Sequence, residues 1–200
     1  MKQVVMIIVL AVALCSCASV YKPIAPSTLS YNTELSADSV GFGYRYEVLA
    51  FRGNKKYAKR EPKKLVRVVA VKIENTTDQT LKLGENLFLY SGGNQVEPME
   101  PAIVKETLKQ GVLIYLLYSL IWLNKNECND GECQSKPVFP VGSLITVGNM
   151  VTAGTANQNF QREIEQYALR GKSIEPGKTV HALIGIPDSG LQPLKIVVRK

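Results

Sequence analysis

The stretch 65–74 constrains the fold more than any other. Its apolar residues fall on both parities, Leu65, Val69, Val71 and Ile73 on one and Val66, Val68 and Ala70 on the other. Side chains of a strand alternate between faces, so this one needs cover on both sides and is expected at the centre of a sheet. Its neighbours read as strands with a single apolar face. Residues 40–51 set Val40, Phe42, Tyr44 and Tyr46 against Gly41, Gly43, Arg45 and Glu47, which predicts a first strand. Between the two, Lys55-Lys56, Lys59-Arg60 and Lys63-Lys64 read as a solvated basic loop, with attachment to an anionic surface as the alternative. Asn75-Thr76-Thr77-Asp78 supplies turn chemistry. Leu81, Leu83, Leu87 and Leu89 then keep one parity across a break at Gly84-Glu85-Asn86, and Ser91-Gly92-Gly93-Asn94 closes a hairpin.

The interval 101–169 is longer than a loop between strands and reads as helical. Residues 111–123 are uncharged and include Leu113, Ile114, Leu116, Leu117, Leu120 and Trp122. A helix apolar all round must be buried by something. A polar loop from Cys128 to Cys133 follows, then Pro137 and Pro140, then 141–156 with Gly142, Gly148 and Gly154. In 157–169, Phe160, Ile164, Tyr167 and Ala168 share one helical face, and Gly171 is placed to stop the helix. The expectation is a helical hairpin with one strongly apolar arm and one arm of small residues that lets two backbones come close. Three roles stay open for it: completing the core, lying in a membrane interface, or forming an oligomer surface.

The segment 71–98, with its apolar strand, Asn-Thr-Thr-Asp turn, alternating strand and Gly-rich turn, resembles the Ig-like, telokin-like β-sandwich of many bacterial exported lipoproteins. Ile174-Glu175-Pro176-Gly177-Lys178-Thr179, the alternation Val180, Ala182, Ile184, Ile186 and the stretch 194–198 look like that family's closing strands. The resemblance covers 40–98 and 174–200. It implies a fold class that is mainly β with an α insertion (α+β): an Ig-like β-sandwich carrying a helical hairpin between its middle and C-terminal strands. It implies no activity, because this architecture hosts unrelated functions.

The N-terminus bears on location. Lys2 and the apolar run 4–14 match the charged and hydrophobic parts of a secretory signal, and the run is too short for a permanent span. Leu14-Cys15-Ser16-Cys17 resembles a bacterial lipobox, in which cleavage precedes a cysteine that carries diacylglycerol. This implies a signal peptide over 1–16 and lipidation of Cys17; Cys15 departs from the usual pattern, and ordinary secretion with cleavage near Ala18 is the other reading. Residues 17–39, with Pro23, Pro26 and several Ser and Thr, are expected to be a flexible tether. The folded part is expected over 40–200, with the insertion at 101–170. Lipoproteins of the Bacteroidota type carry acidic residues after the cysteine when surface-exposed. Residues 18–22 have none, which implies an outer-membrane protein facing the periplasm, with surface exposure as the other reading. Asp38-Ser39-Val40 looks like the short sequence that those bacteria O-glycosylate, which would put a glycan on Ser39.

Loss of Lys2 with the signal leaves 23 basic against 17 acidic residues. For an envelope protein that balance points to anionic headgroups or polysaccharide, not nucleic acid. Cys128 and Cys133 flank a turn-forming Asn-Asp-Gly-Glu and can form a disulfide in an exported compartment. Zinc would need ligands beyond two thiols, and the single His181 lies far along the chain, so no metal and no cofactor is expected. His181 has the solvent-facing parity of its strand. No Gly-x-Ser-x-Gly, phosphate loop or His-Glu motif occurs. The reading is a non-enzymatic, lipid-anchored envelope protein. Its expected partners are the membrane, through the lipid, and an envelope protein or a second copy, through helices in 111–156. The rival reading is a binding lipoprotein that captures a small apolar ligand or glycan between insertion and sandwich.

Overall fold

The computed structural model describes residues 18–35, 40–129, 132–188 and 190–199. They form two compact units, one of Tyr21–Lys109 with Asn157–Lys200 and one of Gln110–Ala156 with residues 18–20. In chain order the first, β-rich unit has a 3-10 turn at Pro26–Thr28, β1 (Asn32–Leu35) and β2 (Val40–Arg45). Three single-turn helices follow, α1 (Val48–Phe51), α2 (Lys55–Ala58) and α3 (Glu61–Lys64). Next come β3 (Val66–Asn75), β4 (Leu81–Lys82), β5 (Leu87–Ser91), β6 (Asn94–Val96) and α4 (Pro101–Leu108). The 110–156 unit holds a 3-10 helix (Leu113–Leu120), β7 (Leu123–Asn129), β8 (Glu132–Phe139) and the first part of α5 (Val141–Gln166). The end of α5, β9 (Ser173–Ile174), β10 (Thr179–Pro187) and β11 (Leu194–Val198) return the chain to the β-rich unit.

The architecture is α+β. One antiparallel sheet runs β1-β2-β3-β10 and a second runs β11-β5-β6, while β4 pairs with β9. As its two-faced apolarity predicts, β3 is central. Val69, Val71 and Ile73 join Phe42 of β2, Leu87 and Leu89 of β5, and Ile184 of β10 in one core. On the other face Val68, Ala70 and Leu183 are also buried, and α1, α3 and α4 pack against β3. Gly185 of β10 makes room for α4, since a Cβ there would overlap the Val104 side chain. The turn at 75–79 forms through Asn75: its Oδ1 accepts the Thr77 N–H at 3.0 Å and its Nδ2 donates to the Gln79 carbonyl at 2.7 Å. The break at 84–86 and the hairpin pairing Ser91 with Asn94 also fall where the pattern places them.

Other segments depart from the sequence expectation. The first strand ends at Arg45, because Glu47 takes a left-handed φ of 56° and turns the chain into α1. The basic stretch 55–64 is two helical turns, α2 and α3, held down by buried Tyr57 and Glu61 while its lysines stay on the outside. Leu65 leaves the core face that its parity assigned: it sits at φ 54°, 66% exposed, where the chain reverses from α3 into β3. Residues 18–31, placed in the tether, are packed, with Tyr21 and Ile24 buried, and β1 pairs with β2.

The helical hairpin is corrected outright. Its first arm is a 3-10 helix of eight residues that has no capping side chain, and the Tyr115 carbonyl is taken by the Thr146 hydroxyl at 3.0 Å. The Cys128–Cys133 region is the end of a β-hairpin, β7 with β8, not a loop between helices. The second arm and the amphipathic segment after it are one 26-residue helix, α5. Close approach does occur where small residues allow it. The Gly142 N–H donates to the Ile121 carbonyl at 2.9 Å, and a Cβ on Gly142 would overlap the Tyr118 carbonyl oxygen. Among the described residues no helix is long and apolar enough to cross a membrane.

Candidate functional site

The 110–156 unit fixes the residues that directly follow Cys17. The Ala18 N–H donates to Oδ1 of Asn149 on α5 at 2.6 Å. Ser19 pairs with the buried Gln110 side chain in both directions, its N–H to Oε1 at 3.2 Å and its carbonyl accepting from Nε2 at 2.8 Å. Asn149 lies on the buried face of α5 with Gly142, Thr146 and Ala153. The opposite face carries Leu144, Val147 and Val151, all exposed. A helix with small and polar residues inside and aliphatic residues outside inverts the usual arrangement of a surface helix.

The inversion extends through the unit. On the 3-10 helix Leu113, Ile114, Leu116, Leu117 and Leu120 are exposed, the last at 77%, and only Tyr115 is buried. The base of the β7–β8 hairpin adds exposed Trp122, Leu123, Val138 and Phe139. Large apolar side chains therefore dominate the exposed residues of the 3-10 helix, the hairpin base and the outer face of α5. All the charged residues of the sequence between 110 and 161 fall within 125–136. Cys128 and Cys133 close that hairpin with a disulfide, Cα–Cα 4.1 Å. β7 is exposed along its whole length, and an isolated two-stranded hairpin is marginal in water, so the crosslink supplies order that packing does not.

The β-rich unit contains buried polar groups, and each has an architectural use. Glu163 near the end of α5 accepts three hydrogen bonds: the Tyr21 hydroxyl at 2.5 Å, the Ile24 N–H at 2.9 Å and the Ala25 N–H at 2.8 Å. Burial, with the carboxylate beside it, pushes the Tyr21 phenol far above its ordinary range. Asn54 pairs with both the N–H and the carbonyl of Lys22, and Arg52 donates to the Ile24 carbonyl. The rings of Tyr21, Tyr57 and Phe160 stack around this clasp with centroids 4.6–5.6 Å apart. A hollow of about 310 Å³ opens beside it, lined by Tyr21, Pro23, Arg162, Glu163 and Tyr167. That is the low end of ligand-sized volume, and its buried carboxylate is already occupied by three donors.

Glu61 is a second buried carboxyl. Its Oε1 accepts the Val68 N–H at 2.8 Å, and burial raises its pKa to about 7. Nearby Arg67 is paired with Asp188 at 2.9 Å. His181 is half-buried on β10, its ring 5.8 Å from that of Tyr31, and its pKa is lowered by burial and then by Lys72, the residue opposite it on β3. Among the described residues no three His, Cys, Asp or Glu side chains converge to hold a metal ion.

Of the residues marked in the sequence, Cys128 and Cys133 are brought together, while Cys17, Ser39 and the segment 1–16 lie outside the described residues. Sequence reasoning missed the Glu163 clasp and the Ala18–Asn149 contact. Their partners are separated by 131 to 142 residues, and no local periodicity signals such pairs. No protein-family model, no curated protein and no solved structure matches this chain.

Proposed function

We propose that this chain is a lipid-anchored cell-envelope protein with a non-catalytic interaction or structural role, of the Bacteroidota type. On this reading the signal 1–16 is removed, Cys17 carries the lipid, and the two small open sheets that share one core are an Ig-like sandwich. The protein is held at the outer membrane facing the periplasm, and Ser39 is a site for glycan attachment.

The observation that carries the reading is the docking of Ala18 and Ser19. The residues next to the lipobox-like cysteine are seated on a unit whose outer surface is apolar. Such a surface is costly in water and is accommodated beside a bilayer. The Cys128–Cys133 disulfide supports export, since such bonds persist in oxidising compartments. Metabolic labelling with a palmitate analogue tests the anchor. The wild-type protein takes up label and Cys17→Ala does not; equal labelling of the two would overturn the assignment.

A further inference from the structure

We infer that the apolar surface of the 110–156 unit is a membrane-docking surface, lying in the boundary between headgroups and acyl chains of the bilayer that holds the Cys17 lipid. The inference rests on the anchor assignment above and adds a second, independent point of membrane contact.

Three observations select a bilayer over a protein partner. The first is proximity. Ala18, the residue after Cys17 in the sequence, donates its N–H to Asn149 on the helix that presents Val147 and Val151. A lipid leaving the chain there brings that surface to the bilayer whatever the remainder of the protein does.

The second observation is charge. Residues 110–124 and 137–161 contain no Asp, Glu, Lys or Arg. Protein interfaces carry a polar rim and roughly one hydrogen bond per 100–200 Å², which those side chains are poorly equipped to provide. Acyl chains require neither. Charge is confined to the intervening hairpin, which can remain in the aqueous headgroup layer, with Trp122 at the junction between apolar and polar residues. Tryptophan favours that depth, because its ring is apolar and its N–H seeks a partner.

The third is size and backbone pairing. The 3-10 helix of eight residues is about 16 Å long, half of the roughly 30 Å hydrocarbon core. Such an element lies in the interface and does not cross it. Its backbone, like that of α5, is engaged in internal hydrogen bonds, the condition for entering a low-dielectric layer, whereas the two-stranded hairpin has open edges that suit the aqueous side.

Trp122 is the only tryptophan in the chain and reports directly on the surface. The acylated protein is reconstituted into phosphatidylcholine vesicles with acyl chains either plain or brominated near the headgroup. Docking predicts that bromination lowers Trp122 emission about twofold or more, the quencher lying at the depth of an interfacial element. It also predicts that Leu117→Glu with Leu120→Glu abolishes the quenching while the acyl adduct, read by mass spectrometry, persists. These leucines are exposed, and an unchanged circular dichroism spectrum shows the variant folded.

Unquenched emission from acylated protein on vesicles overturns the inference and leaves the anchor standing. That outcome includes a blue-shifted Trp122 covered by a second copy. Absence of the adduct removes the anchor instead. The surface is then judged with Cys17→Ala and excess vesicles: bromine quenching sustains membrane docking, and its absence refutes it.

Discussion

The two units handle apolar residues in opposite ways. In the β-rich unit Val69, Val71, Phe42, Leu89 and Ile184 are each at most 2% exposed, and few large apolar side chains, such as Phe51 and Leu191, are exposed. In the 110–156 unit the leucines of the 3-10 helix and the aliphatic face of α5 point outward, and the interior holds Tyr115 with Gln110, Gly142, Thr146, Asn149, Ala153 and Ala156. Hydrophobic burial is the main favourable term in folding, so the first unit supplies its own stability. The second is ordered by backbone pairing, a disulfide and side-chain to backbone hydrogen bonds such as Thr146 to Tyr115. High apolar content therefore does not identify a core, because the same residue types serve in one unit as interior and in the other as surface.

The contrast is sharpest at Phe160, which is fully buried against the Tyr21 and Tyr57 rings. Phe160→Ala removes a ring from a packed cluster and is expected to cost about 4 kcal/mol, read as a fall in the urea midpoint at constant slope. A loss below about 1 kcal/mol would mean that this unit is not stabilised by its interior and would erase the distinction.

Next in size is the effect of pH through Glu61. Its folded-state pKa of about 7 lies above the ordinary 4.5 because burial penalises the carboxylate. Below about pH 4.5 both folded and unfolded chains hold the proton, and the contribution to stability is fully present. Between 4.5 and 7 the unfolded chain ionises while the folded one does not, so stability falls as pH rises, by roughly 3 kcal/mol in all. Urea midpoints at pH 5 and pH 8 should show the wild type weaker at pH 8. Glu61→Gln, which keeps an acceptor for the Val68 N–H, should remove most of that difference; an unchanged slope would place the titration elsewhere.

Glu163 tests whether residues 21–25 belong to the fold. Glu163→Gln preserves the volume but weakens three charge-assisted hydrogen bonds and turns a donor toward donors. The expected cost is about 2 kcal/mol. Amide exchange at Ile24 and Ala25 should accelerate together with that loss. A tether would show fast exchange at both positions in the wild type and no effect of the substitution.

These contrasts also explain what could be read in advance. Where a residue's partner is near in sequence or its face is set by alternation, the pattern suffices: the two faces of β3, the Asn75 side chain in its turn, the Ser91–Asn94 hairpin and the Cys128–Cys133 pair all follow from local chemistry. Where order comes from a distant group, it does not. Pro23 and Pro26 suggest a linker, yet the Glu163 carboxylate, 138 positions beyond Ala25, collects the N–H groups that such a segment leaves free. The hairpin of helices is expected from the length and apolar content of 101–169, which do not distinguish it from a short 3-10 helix followed by a β-hairpin. Gly148 and Gly154 suggest close approach of two backbones, but their surroundings are open and α5 continues through both.

The smallest expected effect completes the comparison. Leu117 is 63% exposed, so Leu117→Ser removes little buried area, and in the absence of lipid the urea midpoint should move by no more than about 0.5 kcal/mol. The same substitution in a core position would cost several times that, as Phe160→Ala is expected to do. A destabilisation above about 1.5 kcal/mol would show that Leu117 is covered in solution, by a second copy or by another part of the chain. A concentration-dependent midpoint would identify the copy, since dissociation and unfolding are then linked by mass action. A midpoint that is unmoved, and independent of concentration, leaves the leucines of this unit facing water until a bilayer is supplied.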